Sequence, residues 1–311
     1  MSIAAGVILP VFLIIGLGWL ARWRGYFGDE AVDALMRYAQ NIAAPILLGV
    51  SIYGMDLGTA FKPGLLFSFY IGAFSAFALG IIGARALGRP GPDAVAIGFA
   101  CLFSNSLLLG VAITERAYGT AGLAGNFAII AIHSPIMYSL GIVAMELTRS
   151  RGQNLPLHRL TRQIGRSILT QPLIIGILTG FAVNLSGLTL LGFAFVGLTM
   201  IAGTTIPTAL FGLGGVLFRY RPEGDGKAIA LVVVASLGVH PIIAWMLGTR
   251  VFALDAPALR SAVITAAMAP GVNAYLFAHM YGVGKRVAAS AVLIATGLSI
   301  FTTWIWLQIL P

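Results

Sequence analysis

Apolar stretches of about twenty residues, the length that crosses a bilayer, recur along nearly the whole chain with only short polar gaps between them. That spacing leaves few folds open. Of the 311 residues, 59% are hydrophobic and 9% are charged, whereas soluble domains carry roughly a quarter charged residues. So few charges cannot cover a water-facing surface. In hydrocarbon every backbone polar group must be satisfied within its own segment or in a closed barrel. A barrel would read as alternating strands of roughly ten residues, so the sequence predicts an all-α polytopic membrane protein.

Ten transmembrane helices are predicted. The first five run near Ile3 to Ala21, Ala31 to Tyr53, Gly64 to Ala84, Ala94 to Thr114 and Ala121 to Leu147. The second five run near Ile168 to Leu188, Leu191 to Phe218, Ala228 to Ala253, Ala262 to Tyr281 and Val287 to Leu310. A polar linker, 148–167, separates a first five-helix repeat, 1–147, from a second, 168–311. The first apolar run has no basic residue before it and is followed by Arg22 and Arg24, so it is expected to be a retained helix and not a signal peptide.

The net charge of +9 does not point to nucleic acid, because the basic residues lie in short loops and not on one face or tail. One set of loops holds Arg22, Arg24, Arg85, Arg89, five arginines of the linker, Arg219, Arg221, Lys227, Lys285 and Arg286; the opposite set holds Lys62, Arg116, Arg250 and Arg260. Loops rich in Lys and Arg stay cytoplasmic. The linker is therefore expected inside, both termini outside, and the protein in the inner (plasma) membrane. The single Cys101 permits neither an intrachain disulfide nor a cysteine metal cluster, and no metal site is expected.

An odd number of helices per half means that related halves must run through the membrane in opposite senses, as an inverted 5+5 repeat. Pro10, Gly18 and Pro45 recur at an offset of 162 as Pro172, Gly180 and Pro207.

Polar residues at membrane depth mark candidate function. The fourth span carries Ser104, Asn105 and Ser106 near its middle, and the ninth carries Pro270, Gly271 and Asn273 at comparable depth. Proline lacks an N–H and clashes with the preceding turn, so the ninth span should break there. A broken helix offers free N–H groups and a positive dipole end to an anion, and the amides of Asn105 and Asn273 can donate beside them. The plainer reading is helix packing by Pro and Gly and interhelical bonding by Asn; the matched position in both halves favours the site. His133 and His240 lie at depth beside Pro135 and Pro241 and are possible coupling residues, although interior histidines with satisfied rings explain them as simply. The ten acidic residues fall in loops or near helix ends, which argues against an embedded-acid proton relay.

These residues resemble the auxin efflux carrier family, which includes plant auxin carriers and bacterial malate and malonate permeases. The resemblance covers the chain: Asn41 to Pro45 followed by Gly49 and Ser51, Ser104-Asn105-Ser106 followed by Gly110, and Pro270-x-x-Asn273 followed by Phe277-Ala278 and Tyr281-Gly282. It implies an elevator-like inverted repeat in which the first, second, sixth and seventh helices form a scaffold and a homodimer interface. The fourth and ninth helices would cross at their breaks over the substrate. Ser104 stands where plant members have proline, so a softer break is expected in the fourth helix than in the ninth.

The sequence therefore predicts a secondary transporter of a small organic anion, a mono- or dicarboxylate, working by alternating access in the lipid bilayer without a cofactor. A coupling ion, H⁺ or Na⁺, is left open. The nearest alternative is a sodium-coupled organic-anion symporter of bile-acid type. An intramembrane hydrolase using Ser104 or Ser106 with a histidine, and a channel, are more distant alternatives.

Overall fold

The structure, a computed structural model, describes residues 4–150, 158, 161–162, 165–166 and 171–311. Most of the predicted linker, and the start of the sixth predicted span at Ile168, lie outside the described residues. The described chain is helical, with an isolated antiparallel bridge between Ser104 and Pro270 as its one extended pairing.

The helices are α1 (Leu9–Trp23), α2 (Asp29–Tyr38), α3 (Ala44–Tyr53), α4 (Pro63–Ala86), α5 (Gly91–Leu102), α6 (Val111–Tyr118) and α7 (Ala124–Ser150). They continue as α8 (Pro172–Ser186), α9 (Gly192–Arg219), α10 (Gly226–Val234), α11 (His240–Met246), α12 (Ala256–Ala266), α13 (Val272–Tyr281) and α14 (Lys285–Ile309). Six continuous helical stretches among the described residues are long and apolar enough to cross a membrane, and α5 and α8 are shorter apolar helices. The protein is a multi-pass membrane protein.

Local chemistry explains where the helices change. A wide π-turn, Ala39–Ala43, joins α2 to α3. Pro45 has no N–H to donate to Asn41, and the Ala44 N–H reaches back five residues to the Ala39 carbonyl. The ninth predicted span starts earlier than expected: Asp255 caps α12 by accepting from the Ala258 N–H, and Pro257 fits the first turn, so the helix begins at Ala256 and not near Ala262. The apolar periodicity did not reveal this turn because Arg260 interrupts it.

The helices sort into two packed groups. In one, α1 lies along α9, and α8 along α3. Glycine permits both approaches. A Cβ at Gly18 would overlap the Phe211 carbonyl, and a Cβ at Gly180 would come within 2.6 Å of the Gly49 carbonyl oxygen. Arg219 ties this group together by donating to Asp33 at 2.7 Å and to the Asp29 carbonyl at 2.7 Å. In the other group α4 packs on α5, α11 and α12, while α13 packs on α14. Loop ion pairs clip this group at both ends: Arg89 to Asp225 at 3.0 Å and Lys62 to Asp255 at 2.6 Å. Each donated bond holds its carboxyl below the usual carboxylate range, so the pairing is complete at neutral pH and is lost only as pH falls through the lowered value. Both pairs are solvent-screened and contribute little alone.

Close glycine packing gives a paired test. Gly18→Ala should destabilise by about 1–3 kcal/mol through overpacking, whereas Gly16→Ala, which meets nothing within 4 Å, should leave the melting temperature of the detergent-purified protein unchanged or raise it.

Candidate functional site

Two helices are interrupted at facing points. α5 ends at Leu102 and helical structure resumes at Ser106 in a π-turn, Ser106–Gly110, that leads into α6. α12 ends at Ala266 and α13 starts at Val272. The first interruption, residues 103–105, is shorter than the second, residues 267–271, in keeping with Ser104 retaining an N–H that Pro270 lacks.

The interruptions run antiparallel and satisfy each other. The Asn105 N–H donates to the Ala269 carbonyl at 2.8 Å, and the Gly271 N–H donates to the Phe103 carbonyl at 2.9 Å. Around this junction the starts of two helical segments converge, one following Asn105 and the other following Gly271. The first-turn N–H groups of a helix have no intrahelical acceptor. Those of Leu107, Leu108, Val272 and Asn273 are therefore gathered in one place, with the positive dipole ends of both segments.

A cavity of about 210 Å³ lies against the junction. Ser104, Asn105, Ser106, Gly271, Asn273 and His133 all line it, whereas Pro270 and His240 do not. Ser104 and Ser106 share a hydroxyl-to-hydroxyl bond of 2.9 Å, and the Tyr138 hydroxyl donates to Asn273 Oδ1 at 3.3 Å. That bond leaves the Asn273 amide N–H₂ as a donor. The Asn105 side chain makes no cap bond and is 7% exposed. Among the described residues, no Asp, Glu, Lys or Arg lines the cavity. Any charge placed there is held by dipoles and hydrogen bonds alone.

The two histidines occupy different positions. His240 is fully buried, with Nε2 at 3.2 Å from the Phe69 carbonyl. His133 is buried on the cavity wall, and neither ring nitrogen has a partner among the described residues. Among the described residues His240 thus has the partner that the simpler reading of the sequence expects, and His133 does not. Neither Ser104 nor Ser106 bonds a histidine, so no nucleophile–base pair is assembled.

Gln40, Ser134, Tyr138 and Gln171 also line the cavity and escaped the sequence reading, while Asn41, which lines it too, was noted only as part of the stretch that carries the resemblance and not as a site residue. Gln40 and Asn41 carried a usable signal: two adjacent amides at membrane depth, four and five residues before a proline. Gly271 corrects the sequence reading in another way. Its φ of −73° and ψ of 164° are ordinary extended values, and an added Cβ would meet nothing closer than 3.5 Å. The break therefore does not depend on glycine at that position.

A multi-pass helical protein with two interrupted helices meeting over a neutral polar cavity belongs to the class of membrane transporters. Comparison with known proteins gives the family. Residues 3–307 match the model of the membrane transport protein family, the auxin efflux carrier family, and the chain belongs to it. It is 24% identical over 306 residues to an "Uncharacterized transporter" of Methanothermobacter thermautotrophicus, covering 97% of each chain. It is 23% identical over 316 residues to a "Putative malonate transporter" of Rhizobium meliloti, covering 97% of this chain and 94% of the relative. The protein is a transporter and not an enzyme.

The junction makes opposite predictions for two changes at one position. Gly271→Ala should keep stability within about 0.5 kcal/mol of wild type, read as a nearly unchanged melting temperature, because it keeps the N–H and has room for the methyl group. Gly271→Pro has a compatible φ but removes the donor to the Phe103 carbonyl and places a ring carbon against it. It should destabilise by about 1–3 kcal/mol through the orphaned acceptor alone, read as a lowered melting temperature.

Proposed function

We propose that this protein is a secondary transporter of a small carboxylate, and that the anion binds where the two interrupted helices meet. The observation that carries this reading is the junction itself: backbone donors and two asparagine amides converge on a cavity that no charged side chain lines among the described residues. Such a site holds an anion without a fixed counter-charge, as helix N-termini do elsewhere. Asn105 and Asn273 donate to the carboxylate, Ser104 and Ser106 add hydroxyl donors, and Pro270 with Gly271 sets the path of the backbone.

Cavity size bears on the substrate. At about 210 Å³ it falls below the range of sites for drug-sized ligands. This favours a short mono- or dicarboxylate over the bulky anion of a bile-acid-type symporter. The relative named for malonate agrees with that size class.

In the same reading the chain crosses the membrane ten times as an inverted 5+5 repeat. Support comes from paired contacts: the offset of 162 carries Gly18 onto Gly180 and Gly49 onto Phe211, and Gly18 packs on Phe211 as Gly180 packs on Gly49. The α1, α2, α3, α8 and α9 group is the scaffold and, in a homodimer, the subunit interface. The other group moves against it in an elevator-like step that carries the junction between the two sides. Both termini lie outside the inner membrane, following the basic-residue asymmetry of the loops.

Asn105→Ala and Asn273→Ala should each weaken malonate binding by about ten- to a hundredfold, the loss of one hydrogen bond to a charged ligand, with melting temperature little changed. Proteoliposome uptake of labelled malonate and a thermal-shift titration measure the two together. Wild-type uptake by both variants at wild-type stability would rule out this site.

A further inference from the structure

His133 is a buried titratable group that carboxylate binding by neutral donors does not use. It is 3% exposed, it lines the cavity, and both of its ring nitrogens lack a partner among the described residues. Both nitrogens are themselves buried, so the ring meets the cavity through space, and in so dry a setting its protonation responds to any charge the cavity holds.

The surroundings define that ligand. From α4, Phe69 and Tyr70 face the ring at centroid distances of 5.6 and 6.4 Å, and the Tyr70 hydroxyl is committed to the Ile129 carbonyl. Phe103, from the first interruption, lies edge-on at 4.7 Å. His240, from α11, stands behind Phe69 with its Nε2 on the Phe69 carbonyl. Across the cavity the Tyr138 hydroxyl donates to Asn273. None of these groups, and no other cavity-lining residue among those described, carries a carboxylate that could balance an imidazolium. With the cavity empty, His133 is therefore neutral. A bound carboxylate is the anion that would stabilise the protonated ring, and the protonated ring in turn offers the carboxylate a charged donor.

We infer that anion binding and protonation of His133 are coupled, so that the transporter carries one proton with each carboxylate. The inference rests on the proposed site. A proton from the water on the entry side forms an N–H bond at a free ring nitrogen as the anion settles. It returns to water on the exit side when the anion leaves and the ring is again unbalanced. The proton lowers the charge moved per cycle by one. That matters energetically, since each elementary charge carried across is worth about 2.3 kcal/mol per 100 mV of membrane potential. His240 does not line the cavity, and its Nε2 is engaged by the Phe69 carbonyl.

Titration calorimetry of malonate into the purified full-length protein, in two buffers of different ionisation enthalpy near pH 7.5, reads the protons taken up on binding. Wild type should take up about one proton per malonate, and its affinity should fall about tenfold per pH unit above neutrality. His133→Gln should still bind, with proton uptake near zero and a flat pH profile, while His279→Gln, an exposed histidine remote from the cavity, should behave as wild type. If His133→Gln does not fold, His133→Asn takes its place, because malonate can itself take up a proton and the wild-type stoichiometry alone does not assign it to the ring. Malonate binding to wild type without proton uptake, or equal uptake by a folded His133→Gln, would overturn the inference and leave the site standing. Binding lost in Asn105→Ala but proton-independent in wild type would have the same meaning. Malonate binding unaffected by Asn105→Ala and Asn273→Ala would instead remove the site, and the inference with it.

Discussion

Two backbone hydrogen bonds, from Asn105 to Ala269 and from Gly271 to Phe103, make the rest of the site possible. At membrane depth an unsatisfied N–H or carbonyl costs several kcal/mol, and an interrupted helix exposes several of them. Either interruption alone would be disfavoured. Set antiparallel, each supplies the donor and acceptor that the other lacks, so the two breaks are stable only as a pair. The helix starts that follow them then point their free N–H groups into one cavity, and the neutral wall of that cavity follows from the same arrangement.

The packing around the junction separates into two groups of helices, one of them held by close glycine contacts. Glycines allow α1 and α9, and α3 and α8, to approach at backbone distance, where dispersion contacts are densest and sliding is least tolerated. Between the two groups the contact is chiefly apolar: Leu48 and Ile52 of α3 and Ile177 of α8 meet Val111, Phe127 and Ile130. Apolar contact has few directional bonds to break, which suits an interface over which, in the proposed mechanism, one group translates; Arg116, donating to the Gly6 carbonyl at 2.8 and 3.2 Å, is a polar tie that such a step would have to release. The loop ion pairs lie within groups, Arg219 with Asp33 in one and Arg89 with Asp225 in the other, so they brace each body without locking the two together.

Much of this was legible in the sequence, for identifiable reasons. Apolar runs reveal helices because the bilayer fixes their length, and the pairing of Ser104-Asn105-Ser106 with Pro270 through Asn273 was visible because polar residues are rare at depth. What stayed hidden depends on three-dimensional contact. The π-turn at Ala39–Ala43 and its amides Gln40 and Asn41 look like ordinary helix until the missing Pro45 donor is traced. The early start of α12 depends on a side-chain cap by Asp255. Gly271 was a candidate by its place beside Pro270, yet its backbone angles suit any residue. The histidines could not be told apart in sequence, because only the fold puts His133 on the cavity and His240 behind Phe69.

The central claim is that the cavity at the junction opens to each side of the membrane in turn and is occupied by the transported anion. Ser134 lines that cavity from α7 without joining the junction itself. A protein with Ser134→Cys as its one thiol, Cys101 having been replaced by alanine, reports on access. It would be reconstituted in one orientation and treated with a membrane-impermeant thiol reagent from either side. The account predicts labelling from both sides, slowed by malonate in both cases. Labelling from one side only, at a rate that malonate does not change, would contradict it.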